Sequence, residues 1–425
     1  MHEDHTAGLC TCRKATRHHG MTSRLETRDR IARAHRTNDE PISVGLGNAH
    51  HALRSWLTTY AYELWWTHGA DHARGGFHER LYLNATPADE PRRARLHPRQ
   101  AFAYSHANEL GWAGPASRAL EHGLNFFVSH YKRNDGFYRT RVAPDGSPLD
   151  DRIELYDQAF ALLGFASAYA SCNEQRWRTE AYALHARLEK HFRRAGGGFE
   201  ESIPARLPLT SNSHMHLLEA ALAWRAADTD ARWPALATEI IQLAQTRLVS
   251  SPSGLIGEHF DGAWEPLSMQ GWIIEPGHQF EWASLFLGFA SDRPDLTTAA
   301  LRLIEFSEDW GVDAQRGVVM NSCFVHGRRR DAEARLWPQT ERIKASCMAA
   351  EATGDFIHVS HAIEATRTLM QYFETPVRGL WRDRMSAEGV FVEEPVPASS
   401  LYHIVGAALA VDRLVRLTAL QEQLK

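Results

Sequence analysis

The chain has 425 residues, 44% of them hydrophobic, with a formal net charge of -5 at pH 7 and a pI near 6.6. No sustained Lys/Arg block marks the main body, which argues against nucleic acid or an anionic membrane as a partner, and no apolar run is long enough for a membrane span or a signal peptide. The five cysteines are scattered and odd in number, unlike a disulfide framework, so we expect a cytoplasmic protein that acts on a small molecule.

The first segment, residues 1–45, is predicted to be a flexible N-terminal extension, and residues 46–425 a single catalytic domain. The extension is rich in Arg, His and Thr, and no helical apolar stripe begins before Leu53. Cys10-Thr-Cys12 and its neighbouring histidines form a weak metal-binding pattern, for which a disordered tail is the simpler interpretation.

From there to the C-terminus, a glycine followed by an apolar residue recurs at intervals of 56 to 63 residues. A short alternating stretch with turn residues follows each glycine and predicts a hairpin or extended loop. Two helices come next: one that is apolar nearly all round, as in 158–169, and one that is amphipathic, as in 182–192. The six glycines are Gly76, Gly136, Gly198, Gly254, Gly317 and Gly379.

Six pairs of buried and half-exposed helices predict an (α/α)6 barrel, in which six inner helices are surrounded by six outer ones. An open superhelix is the alternative, but it would need terminal repeats with polar outer faces. Such capping repeats are not evident at either end of the repeat region. The sequence therefore favours a closed ring.

Reactive side chains lie just inside the predicted starts of the inner helices. Proline follows His97, Glu275 and Trp337 at these starts, while Asn212-Ser213 and Ser399-Ser400 supply capping oxygens. Because all inner helices of a closed barrel begin at the same end, we expect these side chains to face one cavity. The candidates are Arg99, Asp157, His216, His278, Glu281, Trp337, Glu341 and His403.

Several candidates have a structural alternative. Arg99 could be a surface arginine, Asp157 a helix cap and His403 a satisfied core histidine. Trp337 and Trp381 are candidates for stacking on a sugar, although tryptophans are more often core residues.

The two histidines of the third inner helix require a choice. His214 and His216 flank Met215 and point to different faces, so at most one of them enters the cavity. The helix register favours His216.

The eight residues 275–282, EPGHQFEW, combine a helix start with a histidine and a carboxylate. Pro276 suits the first turn of a helix, and His278 and Glu281 then lie three residues apart on one face. A helix N-terminus disfavours the second proton on imidazole, so His278 is expected to be neutral. The stretch thus predicts a base with its carboxylate partner.

Histidines, rather than carboxylates, dominate the candidate cavity, and this narrows the chemistry. Metal ligation by His216, His278 and His403 has no supporting ligand spacing, so we expect no metal and no cofactor. Glycoside hydrolysis would normally need two carboxyl groups on either side of the scissile bond. Two histidines suit proton abstraction beside a carbonyl and redelivery to the neighbouring carbon, as in sugar isomerases and epimerases.

Four segments together resemble the N-acylglucosamine 2-epimerase superfamily, and the resemblance runs from about residue 50 to the C-terminus. They are 156–164, 212–219, 275–282 and 337–341. The resemblance implies an (α/α)6 barrel. The last repeat, TPVRGLWRDR at 375–384 followed by PASSLYH at 397–403, resembles the bacterial D-mannose isomerase branch of that superfamily.

Carried over position by position, the resemblance implies that His278 and His403 are the acid and base. Arg99 and His216 would bind sugar oxygens near C1 and C2, and Glu281 would hold a histidine or a hydroxyl. Further substrate contacts are expected from Asp157, Trp337, Glu341 and Trp381. His403 is assigned to the proton shuttle between C2 and C1 and His278 to ring opening, with the reverse division as the alternative.

The implied reaction is the conversion of D-mannose to D-fructose through a cis-enediol(ate), with D-lyxose to D-xylulose as a related conversion. The alternatives are a sugar 2-epimerase of the mannose, cellobiose or N-acylglucosamine type, a sulfoquinovose isomerase, a glycosidase that uses Asp157 or Glu281, and a sugar-binding barrel. The expected partner is a monosaccharide, and the expected assembly a monomer or homodimer.

Overall fold

The computed structural model describes residues 41–250, 252–267, 273–290 and 292–423. The predicted N-terminal extension lies outside the described residues except for 41–45, so its flexibility stays a prediction. The described residues from Gly45 onward pack as one compact unit. Among the described helices, none has both the length and the hydropathy needed to cross a bilayer.

Twelve main helices within the described ranges alternate between an outer and an inner ring, as the repeats predict. The outer helices are α1 (Ile42–Trp56), α3 (Ala116–Tyr131), α5 (Gln175–His191), α7 (Arg232–Leu243), α9 (Pro294–Phe306) and α11 (Phe356–Tyr372). The inner helices are α2 (Leu96–Ser105), α4 (Leu155–Cys172), α6 (Ser211–Ala227), α8 (Pro276–Phe289), α10 (Leu336–Thr353) and α12 (Leu401–Gln423).

Shorter helical pieces extend or connect these twelve. Four described π-helical turns extend three outer helices, two of them after α1, and two short α-helices and one 3-10 turn occur near α1, α2 and α12. They are Leu57–Ala61, Tyr62–Leu64, Trp65–Gly69, Ala107–Leu110, Ala244–Leu248, Ser307–Gly311 and Ala398–Ser400.

Burial separates the two rings in the way the sequence predicts. On α5, Trp177, Ala181, Leu184 and Leu188 form one buried stripe at helical spacing, whereas α4 is buried almost all round from Leu155 to Ala168. Small residues let the inner helices approach closely. A Cβ on Gly164 of α4, for example, would lie 2.8 Å from the Cα of Pro98 on α2.

The repeated glycines are explained by their backbone conformation. All six have a positive φ, between +68° and +96°, which side chains other than glycine rarely adopt. In five of the repeats, the N–H one or two residues later donates to a side chain of the following inner helix. The acceptors are His97, Gln158, His214, Gln279 and Gln339.

Short antiparallel strands link each repeat to the next. The strand before every inner helix pairs with a strand in the following hairpin, and the last such strand pairs with the first hairpin. The pairs are Arg92–Arg93 with Arg141–Val142, Ile153–Glu154 with Ser202–Ile203, Leu209–Thr210 with His259–Phe260, Ile273–Ile274 with Ser322–Phe324, Ala334–Arg335 with Arg384–Met385, and Val396–Pro397 with Arg80–Leu81.

Four further strand pairings complete the hairpins. Pro148–Asp150 and Arg329–Asp331 add a third strand to two of these sheets, and Val249–Ser250 pairs with Leu255–Ile256, as Val312–Asp313 does with Val318–Val319. The pairing of the last repeat with the first, together with the packing of α12 on α2, closes the ring. The predicted closed (α/α)6 barrel is confirmed.

The helix starts are only partly as predicted. Pro276 occupies the first turn of α8 as expected. The cap of α6 is Thr210, whose hydroxyl accepts the N–H of Ser213, so the prediction that Asn212-Ser213 would cap it is wrong. The hydroxyl of Ser400, at the start of α12, donates to Asp383.

Candidate active site

A cavity of about 320 Å³ opens where the inner helices begin. Six of the nine predicted site residues line it, and they come from five inner helices that the closed ring brings to one end. These six are Arg99, His216, His278, Glu281, Trp337 and His403. Asp157, Glu341 and Trp381 are not among the lining residues.

His278 is paired with a glutamate that the sequence did not single out. Its Nδ1 lies 2.8 Å from Oε2 of Glu258, which follows the strand Leu255–Ile256, and Oε1 of Glu258 accepts the N–H of Glu275. Burial lowers the pKa of His278, but the charges of Glu258 and Glu275 outweigh it and raise the pKa to about 10. The expectation that His278 is neutral, with Glu281 as its partner, is therefore wrong.

His403 has the opposite protonation state. Its Nδ1 lies 2.8 Å from Oε1 of Glu341, which is fully buried on α10. Burial lowers the pKa of His403 to about 4, and the positive charges of Arg99 and Lys344 counter the effect of Glu341. Glu341 was predicted to bind substrate; the structure instead makes it the partner of His403.

His216 forms a third pair of this kind within α6. Its Nδ1 lies 3.0 Å from Oε2 of Glu219, and the other oxygen of Glu219 accepts a short hydrogen bond from the hydroxyl of Tyr402. Burial lowers the pKa of His216 to about 4 despite the glutamate. As expected, His214 turns away and accepts the N–H of Phe199.

Glu281 is a buried carboxyl group in the cavity wall. It is 2% exposed, and its Oε1 has no hydrogen-bond partner among the residues that the structure describes. Burial and the nearby charge of Glu341 raise its pKa well above the usual range. A protonated carboxyl in this position can donate a hydrogen bond to a sugar oxygen.

Arg99 supplies positive charge to the cavity. Its Nη2 donates to the hydroxyl of Tyr156 at 2.8 Å, and its guanidinium lies over the rings of Phe160 and Tyr402. Arg99 takes part in none of the ion pairs within the described ranges. Its charge is therefore available to an anionic group of a ligand.

Trp337 lies close to both predicted acid–base histidines. Its ring centroid is 5.0 Å from that of His278 and 5.8 Å from that of His403. A ligand in the cavity would thus meet an aromatic ring near both histidines.

Two residues predicted to contact substrate are buried and do not line the cavity. Asp157 is fully buried and lies 3.2 Å from Arg95, and burial raises its pKa to about 6. Trp381 is also fully buried, and its ring stacks on Trp65 of the first repeat at 4.9 Å. Asp157 therefore supports a cavity arginine, whereas Trp381 belongs to the core.

The mouth of the cavity is rich in arginine. Arg93, Arg95 and Arg335 line it, and a neighbouring cavity of about 420 Å³ shares Arg93, Asp383 and Pro397 with it. This outer space lies between the first and last hairpins. Its arginines are partly neutralised there, through the ion pairs Arg80–Glu90 and Arg384–Glu394.

Donor atoms for a metal ion also occur in the cavity. Three groups within the described residues each hold their donor atoms within 4.8 Å. They are His216 with Glu219 and Glu281, Glu281 with Glu341 and His403, and Glu258 with Glu275 and His278. Lys344 Nζ lies 2.7 Å from Glu341, however, and already supplies positive charge to the second group.

Comparison with known proteins identifies the family of the chain. The family model of N-acylglucosamine 2-epimerase (GlcNAc 2-epimerase) matches residues 75–407. The mannose-6-phosphate isomerase of Rhizobium meliloti (strain 1021) is 40% identical over 370 residues, which are 85% of this chain and 96% of the relative. The D-mannose isomerase of Thermobifida fusca is 25% identical over 374 residues, 80% and 89% of the two chains.

Solved structures share the fold at low sequence identity. The cellobiose 2-epimerase from Spirochaeta thermophila DSM 6192 matches with a TM-score of 0.79 and 21% identity, covering 88% of this chain and 98% of that one. A D-mannose isomerase matches with a TM-score of 0.78 and 19% identity, covering 87% and 97%. Given the long family match and the extensive 40% identity, the chain belongs to the N-acylglucosamine 2-epimerase family and is a sugar-isomerising enzyme.

Proposed function

We propose that the enzyme converts D-mannose to D-fructose by moving a proton from C2 to C1. The observation that carries this proposal is a pair of cavity histidines near Trp337, each held through its Nδ1 by a buried glutamate. His403, with its pKa near 4, is a base at neutral pH, and His278, with its pKa near 10, is an acid. Enolisation of an aldose needs one of each.

The hydrogen bonds of the two rings define the nitrogens that react. Glu341 occupies Nδ1 of His403 and Glu258 occupies Nδ1 of His278. In neutral His403 the proton belongs on Nδ1, which leaves the lone pair of Nε2 for the substrate. In charged His278 the Nε2–H can donate a proton to a sugar oxygen.

The reaction then follows in three steps. His278 protonates the ring oxygen of the sugar and takes up the proton of the C1 hydroxyl in exchange, which opens the ring, exposes the C1 carbonyl and restores the charged imidazole. His403 removes the proton from C2, and Arg99 stabilises the negative charge of the cis-enediolate. His278 then gives a proton to O1 and takes one from O2, His403 returns its proton to C1, and the product is the ketose.

A 6-phosphorylated sugar is the second candidate substrate. The relative that is 40% identical is named a mannose-6-phosphate isomerase, and Arg93, Arg95 and Arg335 lie at the cavity mouth. The Nε of Arg335 has no hydrogen-bond partner among the described residues. A phosphate at this position would provide one.

Incubation with D-mannose in D2O, followed by NMR, tests the proposal. We expect fructose with deuterium at C1. Glucose as the main product would indicate epimerisation, and no turnover of mannose, its 6-phosphate or any other free sugar would contradict both. Prior EDTA treatment is expected to leave the rate unchanged, which tests the prediction that no metal is needed.

The same assay tests the roles of single residues and distinguishes mannose from mannose 6-phosphate as the substrate. His278→Asn and His403→Asn should each abolish turnover, while the control His51→Asn, at an exposed position on α1, keeps the full rate. Arg335→Gln should lower kcat/KM for mannose 6-phosphate about tenfold and leave that for mannose unchanged if the phosphate binds at the mouth. The cytoplasmic location and the monomeric or homodimeric state stay predictions.

A further inference from the structure

The three cavity histidines are held in the same way but by chemically different groups. Each Nδ1 is bonded to one oxygen of a glutamate, and the second oxygen of that glutamate has a further partner, through a hydrogen bond in two cases and an ion pair in the third. That partner is a backbone N–H in one case, a hydroxyl in another and an ammonium group in the third. The three chains are His278–Glu258–Glu275 N–H, His216–Glu219–Tyr402 and His403–Glu341–Lys344.

Lys344 lies on α10, one helical turn after Glu341. Its Nζ is 2.7 Å from Oε2 of Glu341, and its side chain is 17% exposed. Burial lowers the pKa of Lys344, but the charges of Glu341 and Glu219 outweigh it and hold the pKa above its usual value. Lys344 is therefore charged throughout the physiological pH range.

This charge changes what Glu341 does to His403. A lone carboxylate beside an imidazole stabilises the protonated ring, as Glu258 and Glu275 do for His278. A carboxylate that already faces an ammonium group stabilises the protonated ring less. The ion pair between Glu341 and Lys344 therefore gives a reason why His403 is the base and His278 the acid.

We propose that Lys344 is a positioning residue that holds Glu341 and keeps His403 unprotonated, so that His403 can act as the base. The proposal rests on the proposed function, in which His403 abstracts the C2 proton. The charged and titratable groups that face His403 and Lys344 come from five inner helices. They are Arg99 on α2, Glu219 on α6, Glu281 on α8, Glu341 on α10 and Tyr402 on α12.

The pH dependence of kcat in four variants tests this role. Lys344→Met removes the ammonium group, Lys344→Gln keeps a hydrogen-bond donor without charge, and Lys344→Arg keeps the charge. Arg342→Met is the matched control, because Arg342 is a buried cation on the same helix that pairs with Glu308 instead.

The direction of the shift follows from the charges. Loss of Lys344 removes a positive charge that lowers the pKa of His403 and unmasks the carboxylate that raises it. We expect the acid limb of kcat to move to higher pH by about one to two units in Lys344→Met and Lys344→Gln. Lys344→Arg and Arg342→Met should keep the wild-type limb.

A titration of His403 by 15N NMR, assigned from the spectrum of His403→Asn, gives a readout that does not depend on turnover. In the wild type, His403 should be neutral at pH 6 with its proton on Nδ1, and in Lys344→Gln its titration should move to higher pH. A wild-type His403 that is charged at pH 6 would overturn the proposal even if no Lys344 variant folds.

Two further outcomes separate this proposal from the proposed function. If the titration of His403 moves but the kcat profile does not, Lys344 controls the ring as proposed and His403 is not the base. If neither moves in Lys344→Met or Lys344→Gln, the role given to Lys344 is wrong, while the role of His403 is decided by His403→Asn.

Discussion

At the residue scale, the charge of His278 depends on Glu258. Burial alone would make this ring neutral, and the pKa near 10 results from Glu258 at 2.8 Å and Glu275 at 3.7 Å. Glu258→Gln should therefore lower the pKa of His278. Since the proposed role of His278 needs its proton, we expect the basic limb of kcat to move to lower pH by about one to three units.

Glu275→Gln provides a graded comparison for this prediction. Glu275 is farther from the ring and more exposed than Glu258, so its loss should shift the basic limb by less. Equal shifts in the two variants, or a limb that stays in place in Glu258→Gln, would show that Glu258 does not set the charge of His278.

The sequence led to the cavity histidines but not to their partners. The position of His278 at a helix N-terminus suggested a neutral ring. That effect is worth only about 1 kcal/mol, and two nearby carboxylates outweigh it. Glu258 lies in a hairpin 20 residues before His278. One signal could have revealed it: acidic residues recur three or four positions after the repeated glycine, at Glu79, Glu201, Glu258 and Asp383.

At the scale of elements, the turns that begin the repeats depend on the left-handed conformation of glycine. Gly379 has a φ of +96°, and a Cβ there would lie 2.8 Å from the backbone oxygen of Tyr60. Gly354 has a φ of +69° but open space around it. Gly379→Ala should lower the free energy of unfolding by about 2–4 kcal/mol, and Gly354→Ala by about 1–2 kcal/mol.

Urea denaturation of the two variants beside Gly196→Ala checks this difference. Gly196 is exposed, does not have a positive φ, and has no atom within 4 Å of an added Cβ, so its replacement should be neutral. If Gly379→Ala costs no more than Gly354→Ala, the close approach to Tyr60 does not constrain the turn.

The same glycines allowed the twelve helices and the closed ring to be predicted from sequence. The strand pairs between consecutive hairpins could not be predicted, because two-residue strands about fifty positions apart carry no pairing signal of their own. For Trp337 and Trp381, too, the sequence alone could not show which residue lines the cavity. Both tryptophans fit a sugar-stacking role by sequence, and only the packing of the first repeat on the last separates the cavity residue from the core residue.

At the scale of the whole molecule, Trp381 belongs to the seam where the ring closes. Its ring stacks on Trp65, whose Nε1 donates to the carbonyl of Gly379. In addition, the N–H of Ala398 in the last repeat donates to the carbonyl of Glu79 in the first hairpin. These contacts join residues about three hundred positions apart. The stability of the closed ring therefore depends on them.

Trp381→Ala should lower the free energy of unfolding by about 3–5 kcal/mol and open the seam locally. Trp177→Ala is the control, because Trp177 is equally large and buried but packs on Phe165 within one repeat. Hydrogen exchange of the Ala398 amide should accelerate in Trp381→Ala and stay slow in Trp177→Ala, since local opening exposes the bonds next to the cavity that each variant creates.

The amide of Leu155 is the internal reference for that experiment. It donates to the carbonyl of Glu201 at 2.9 Å, in the same position of a repeat that does not border the seam. If Trp381→Ala accelerates Leu155 and Ala398 equally, the barrel opens as a whole and the seam has no stability of its own. Faster exchange at Ala398 alone would mean that the closure between the first and last repeats is the point where the ring first opens.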